Sequence, residues 1–358
     1  MAPSRTVRIG LLVTGTLSGP IEAVHGSYQE FYTNYFKDTA PPSTRVVIDS
    51  YHIKKMEFPS EERISEYDLL MVTGSATDAH NDSVKWVRAL LDFLKGVIRD
   101  HPKVKLSGIC FGHQIICRAL GGQCGSNGGR WEIGPTPVHL TDTGKSIFGV
   151  DRLFLQEMHR DHVPLESLNT QFASRDLYLL GHTDLTENQG VVKFYPPSDS
   201  DTEPKDEIAK SHQEIHILTL QGHPEFSEGV VTAIVRARAE DGAMDVPTVT
   251  DYWGTGRRWR KTDGFDIVAT ALWKMLGVIP TGEFNAQSDL HLSHPRVAIR
   301  DASTLSKSSL VFGKLQNIFT ILNPFVTSKT RNTGRSIEPG FFRQFYDLCL
   351  TYLFDVSA

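Results

Sequence analysis

Covalent chemistry in this chain points first to a cysteine set between glycines, Gly108-Ile109-Cys110-Phe111-Gly112. The motif falls where an apolar strand ends and an apolar helix, Ile115 to Leu120, begins, which is the sequence form of a nucleophile elbow. Glycines are needed there because so tight a turn drives larger side chains into neighbouring backbone. At a helix N-terminus, unpaired amides and the helix dipole favour a thiolate. A thiol nucleophile requires a base, and the base requires an acceptor to orient it. Gln221-Gly222-His223-Pro224-Glu225 supplies both, because Glu225 can accept from one nitrogen of His223 and leave the other facing sulfur. Each motif directly follows an apolar run, so both stand at strand ends, where ligands bind in open α/β sheets. A buried structural cysteine beside packing glycines is the alternative reading, and it leaves the His-Pro-Glu run unexplained.

The elements that must position these residues can be read from the apolar pattern. Strands are expected at Val7 to Val13, Val46 to Tyr51, Leu69 to Val72, Val104 to Ile109, Pro137 to Leu140 and Ile215 to Leu220. Most are apolar on both faces, as buried parallel strands are. Helices fall between them. Ser83 to Arg99 is the clearest, with Val84, Val87, Leu91, Leu94 and Ile98 on one stripe and Ser83 as its expected cap. Ser227 to Arg238 and Asp266 to Leu276 also read as helices, the second stopped by Gly277. Tyr195 to Gln213 is polar and aperiodic, an exposed loop. The pattern is that of an open, mostly parallel α/β sheet flanked by helices.

With 358 residues, 40% of them apolar and 22% charged, the chain can bury a sizeable core. Its formal charge of -5 repels a phosphate backbone, so nucleic acid is not an expected partner. Four cysteines are too few for a disulfide scaffold, which suits a reducing compartment. Neither a signal peptide nor an apolar run of membrane-spanning length is expected, and a cytoplasmic location follows from those readings.

Gly-Ile-Cys-Phe-Gly-His-Gln at 108 to 114, then Ala119-Leu120-Gly121-Gly122 and the later Gln-Gly-His-Pro-Glu, resemble class I glutamine amidotransferase domains over roughly residues 7 to 240. Among these the chain is similar to freestanding members, including plant γ-glutamyl peptidases. The resemblance implies a flavodoxin-like sheet, with Cys110 as nucleophile, His223 as general base and acid, and Glu225 as its orienting carboxylate. It further implies an oxyanion hole from the amides of Gly74 and Phe111, and contacts to the glutamyl moiety from Gln114 and Asp161. No cofactor or metal is implied. The expected organisation is a catalytic domain over 1–245 and a helical extension over 246–279. An appendage follows over 280–358, helical or partly disordered, ending in an amphipathic helix that carries Phe341, Phe345 and Leu348 on one face.

Function is then expected to be hydrolysis of a γ-glutamyl amide, in glutamine or a γ-glutamyl peptide, through a γ-glutamyl thioester. Two other readings stand beside it: a glutaminase subunit that delivers ammonia to a separate synthase, and a non-catalytic or redox-sensing binding protein. The chain has no Ser-Gly-Gly-x-Asp-Ser loop and no P-loop, so any synthase would be another chain. His159 with His162, and His291 with His294, have metal-ligand spacing but no convincing third ligand nearby. The basic run from Gly254 to Lys261 reads as a solvated turn.

Overall fold

Leu70 and Val72 of one short strand face one apolar layer, while Leu69 and Met71 face another. This period of two is what a sheet buried on both faces requires. The computed structural model describes residues 5–17, 19–196, 211–254 and 256–278.

Seven strands form the central sheet, in the order β2-β1-β3-β4-β12-β11-β9. They are β1 (Arg5–Val13), β2 (Thr44–His52), β3 (Leu69–Val72), β4 (Lys105–Ile109), β9 (Tyr178–Leu179), β11 (Gly190–Phe194) and β12 (Ile215–Leu220). Pairing is parallel from β2 through to β12, and β11 and β9 close one edge antiparallel. A second sheet joins β6 (Glu132–Leu140), β7 (Arg152–His159) and β10 (Gly181–His182), and a small ribbon joins β5 (Gly125–Ser126) to β8 (Asp161–His162). The fold is thus the expected open, mostly parallel α/β sheet flanked by helices.

Helices cover both faces. α1 (Gly19–His25), α2 (Tyr28–Asp38), α8 (Glu228–Glu240), α9 (Val246–Gly254) and α10 (Ala269–Met275) bury their apolar residues in one layer. α4 (Lys85–Asp100) and α5 (Phe111–Ala119) bury theirs in the other. α3 (Glu61–Ile64), α6 (Asp142–Phe148) and α7 (Asn169–Ala173) are short connectors. No helix among the described residues is long and apolar enough to cross a membrane.

Several expectations shift. α4 starts at Lys85 with Val84 as an N-cap that makes no side-chain bond, and Ser83 instead donates its hydroxyl to Asn81 Oδ1 at 2.6 Å. The local Asn81 acceptor outcompetes the helix end. β6 is longer than Pro137 to Leu140 and leaves the main sheet. β10 pairs only with His139 and Leu140, so the stretch holding Pro135 and Pro137 has a free edge where missing N–H groups break no ladder. The helix expected over Asp266 to Leu276 is a π-helical turn, Gly264–Val268, running into α10, and Gly277 at φ +71° ends it as read. Within the expected polar loop, His212–Glu214 form one 3-10 turn. The run after Gly254 is likewise a short turn, with the Arg258 guanidinium over the rings of Trp253 and Trp259 at 4.5 and 4.4 Å. The appendage, with its terminal helix, His291 and His294, lies outside the described residues.

Sheet and helix meet closely at Gly112, where a Cβ would stand 2.3 Å from the carbonyl oxygen of Val72. Gly112→Ala is therefore expected to destabilise the fold by roughly 3 kcal/mol or more, read as a lower urea midpoint. The contrasting exchange is Gly96→Ala, in mid-α4 with open space around it. It should raise the midpoint, by up to about 1 kcal/mol.

Candidate active site

The elbow forms because β4 ends at Ile109 and α5 begins at Phe111, leaving Cys110 alone to reverse the chain. Cys110 has φ 54° and ψ -107°, a conformation L-residues avoid. Two fixed contacts hold it there. Its N–H donates to the carbonyl of Leu220 on β12 at 2.9 Å, and its own carbonyl accepts from Gln114 N at 3.0 Å. A Cβ at Gly108 would lie 2.5 Å from the Gly112 carbonyl group, so neither flanking glycine can be replaced without moving the turn.

His223 follows β12, and its N–H donates to the carbonyl of Gln156 on β7 at 2.8 Å. Its ring lies flat on Phe226, with centroids 4.1 Å apart and planes 2° apart. His223 Nδ1 donates to Glu225 Oε1 at 2.8 Å, and the same oxygen accepts from the hydroxyl of Tyr32 at 3.0 Å. That bond fixes the tautomer, and the ring lines the same cavity as Cys110. Burial alone would pull the imidazole down, but the Glu225 and Cys110 charges outweigh it and raise His223 to about 10. The site therefore favours an imidazolium held between a carboxylate and a sulfur.

Cys110 and His223 open into a cavity of about 340 Å³, whose lining also includes Gln114, Trp131, Asp161 and Arg238. Gly74 directly precedes Ser75, which lines it. A Cβ there would lie 2.8 Å from His223 Cε1, so only glycine lets the ring approach. Neither the Gly74 nor the Phe111 amide donates to a protein acceptor among the described residues. For Phe111 this follows from its place in the first turn of α5. Gln114 and Asp161 come together at the cavity wall, with Gln114 Nε2 donating to the Asp161 carbonyl at 3.0 Å and to Gln221 Oε1 at 3.1 Å. Burial, and then the nearby Asp78 charge, hold the Asp161 carboxyl above its usual range, and His80 Nδ1 lies 3.4 Å from it.

Behind this wall is a cluster that reading the sequence missed. Glu132, Glu157 and His159 are all buried, and His159 Nε2 lies 3.1 Å from Glu132 Oε2 and 3.2 Å from Glu157 Oε2. His159 Nδ1 donates to the Asp161 carbonyl at 3.0 Å, which turns Nε2 toward the two carboxylates. The signal was present: Glu157 and His159 alternate on one face of β7, and Glu132 is the register partner of His159. Such a set accommodates either an imidazolium or a cation, since one atom from each residue lies within 4.8 Å of the others. His80, Cys124 and Asp161 form a second such group, whereas His162 joins neither.

The α/β sheet thus carries an elbow cysteine and a carboxylate-bound histidine at neighbouring strand ends, lining one cavity. Residues 43–238, more than half of the chain, match the family model of glutamine amidotransferase class-I, and the chain belongs to that family. A putative glutamine amidotransferase-like protein of Schizosaccharomyces pombe is 29% identical over 236 residues, covering 64% of this chain and 83% of its own. Gamma-glutamyl peptidase 2 of Arabidopsis thaliana is 26% identical over 221 residues, covering 60% and 74%. A crystal structure of a glutamine amidotransferase from Thermotoga maritima superposes with a TM-score of 0.51 at 17% identity, over 75% of this chain and 98% of that one, which shows the shared fold.

For His159, burial pulls the imidazole down, yet the Glu132 and Glu157 carboxylates outweigh it and raise the group to about 10. A raised folded-state value stabilises most below the unfolded value near 6.5. That stability is then lost as pH climbs toward 10. Denaturation midpoints should accordingly fall between pH 7 and 10. Glu157→Gln should flatten that slope in urea melts taken across the range.

Proposed function

We propose that the protein hydrolyses γ-glutamyl amides, with Cys110 as nucleophile, His223 as general base and acid, and Glu225 as the group that orients His223. The observation that carries this reading is the convergence, at the mouth of one cavity, of the elbow sulfur and an imidazole whose far nitrogen is held by Glu225 at 2.8 Å.

Attack by Cys110 Sγ on the γ-carbonyl carbon forms the S–C bond and moves the π electrons to oxygen, where the Gly74 and Phe111 amides receive the charge. His223 gives its proton to the amide nitrogen, the C–N bond breaks, and the amine leaves a γ-glutamyl thioester behind. A water that loses its proton to His223 then attacks that carbonyl. The C–S bond breaks, and glutamate departs. Gln114 and Asp161 stand where the amino acid end of the glutamyl group would lie, with the carboxylate of Asp161 facing its ammonium. Names of relatives such as gamma-glutamyl peptidase 2 favour a peptide amide as substrate.

Cys110→Ala is expected to abolish the γ-glutamyl adduct seen by intact-protein mass spectrometry and to lower kcat at least a thousandfold, roughly. Undiminished turnover by that variant overturns the reading. Ammonia released from glutamine only when a separate synthase is added would instead assign the chain as a glutaminase subunit. Asp161→Asn should raise KM about tenfold through the lost charge-assisted bond. Because burial holds the Asp161 carboxyl high, KM of the unsubstituted protein should begin to rise with acidification above the ordinary carboxylate range.

A further inference from the structure

Helix α2 turns three tyrosines inward, Tyr28, Tyr32 and Tyr35, at steps of four and three residues. Two of the hydroxyls have partners. Tyr32 donates to Glu225 Oε1 at 3.0 Å, and Tyr35 donates to the carbonyl of Gly264 at 2.9 Å. Tyr28 has no hydrogen-bond partner among the described residues, although it is only 8% exposed. The hydroxyl is not among the unpaired polar atoms sealed from solvent, and Tyr28 lines the cavity, so a ligand there can meet it.

The ring of Tyr28 is confined on several sides. Phe31 and Phe226 each lie 6.0 Å away between centroids, and a Cβ at Gly15 would lie 2.7 Å from two ring carbons. Phe226 is the same ring that carries His223. Tyr28 lines the cavity with Cys110, and its oxygen would lie 3.6 Å from a Cβ placed on Gly74. A single confined, unpartnered donor therefore stands beside Gly74, whose amide has no protein acceptor among the described residues. Such fixed donors are what charge development on a carbonyl oxygen requires.

Building on the hydrolase reading above, we propose that the Tyr28 hydroxyl is a third hydrogen-bond donor to the γ-carbonyl oxygen, joining the Gly74 and Phe111 amides as the tetrahedral species forms. No proton is transferred from it. Burial, and then the nearby Cys110 and Glu225 charges, hold its proton well above the ordinary phenol range, so at neutral pH it donates and does not ionise. This gives Tyr28 a role distinct from Tyr32, which acts on the oxygen of Glu225.

The test is Tyr28→Phe, assayed by single-turnover acylation with a γ-glutamyl anilide and by titration with glutamate γ-semialdehyde. The aldehyde adds the Cys110 S–H across its C=O bond, giving a hemithioacetal whose oxygen takes the place of the oxyanion. Acylation is expected to slow roughly a hundredfold, and aldehyde affinity to fall by a similar factor, with KM changed less than threefold. Equal acylation and equal aldehyde affinity in the variant overturn the proposal. As a second arm, 3,5-difluorotyrosine at position 28 keeps the packing and makes the phenol more acidic. With the proton still in place at neutral pH, acylation should run at least as fast as in the unsubstituted protein, and a rate as low as that of Tyr28→Phe counts against the donor role. If the unsubstituted protein forms neither thioester nor hemithioacetal, the hydrolase reading and this one fall together. A working unsubstituted protein with an unaffected Tyr28→Phe variant sinks only this one.

Discussion

One backbone dihedral governs the molecule. Cys110 can sit at φ 54° only because its neighbours resist relaxation: β12 accepts its N–H, an α5 amide donates to its carbonyl, and Gly108 and Gly112 allow strand and helix to touch. Such a conformation costs of order 1–3 kcal/mol, which is tolerable only where surrounding packing over-determines it. The parallel order β3-β4-β12 is that packing, since it carries Gly74, Cys110 and His223 on adjoining strand ends. Sheet order and site are therefore one constraint.

Buried charge is the second organising term. His223 and Glu225 are both removed from water, and an ion pair there survives only if remaining lone pairs and protons find partners. Tyr32 supplies one to the carboxylate, and the stacked Phe226 ring fixes the imidazole plane. The Glu132, Glu157 and His159 cluster repeats the theme on β6 and β7, next to the strand residue whose carbonyl holds the His223 N–H. A Cβ at Gly222 would lie 2.3 Å from Glu157 Oε1, so the two charged groups of residues are separated by no more than a glycine. Geometry on the Asp161 side of the cavity and geometry at His223 are thus held by the same strand.

The parts legible in the sequence were those set by local rules. Leu69–Val72 and Ile215–Leu220 read true to the residue because both faces are apolar and turn residues bound them. The elbow was legible because its glycines and cysteine are contiguous, and His223 with Glu225 because the pair is only two residues apart. What failed depends on distant partners. β7 was missed because its inward positions include Glu157 and His159, which look like loop residues until Glu132 is brought across by a hairpin. β6 was truncated by prolines that a free edge tolerates. Ser83 was assigned a cap that Asn81 had already claimed. The cavity role of Tyr28 had no sequence signal, since α2 presents three inward tyrosines and only tertiary contacts tell them apart.

The match to the family ends at residue 238, but the ground beneath the histidine turn does not. Gly264 presses so closely on Pro224 that a Cβ there would stand 2.1 Å from the proline carbonyl oxygen, and its own carbonyl takes the Tyr35 hydroxyl. Trp273, wholly buried, then donates its indole N–H to Thr39 at the end of α2. Residues that lie past the matched portion thus form a buttress, clamping from behind both the loop that bears His223 and the helix that steadies it. The smallest piece of this chain able to keep its histidine aimed would have to run to the end of α10, some way beyond the boundary that kinship alone would draw.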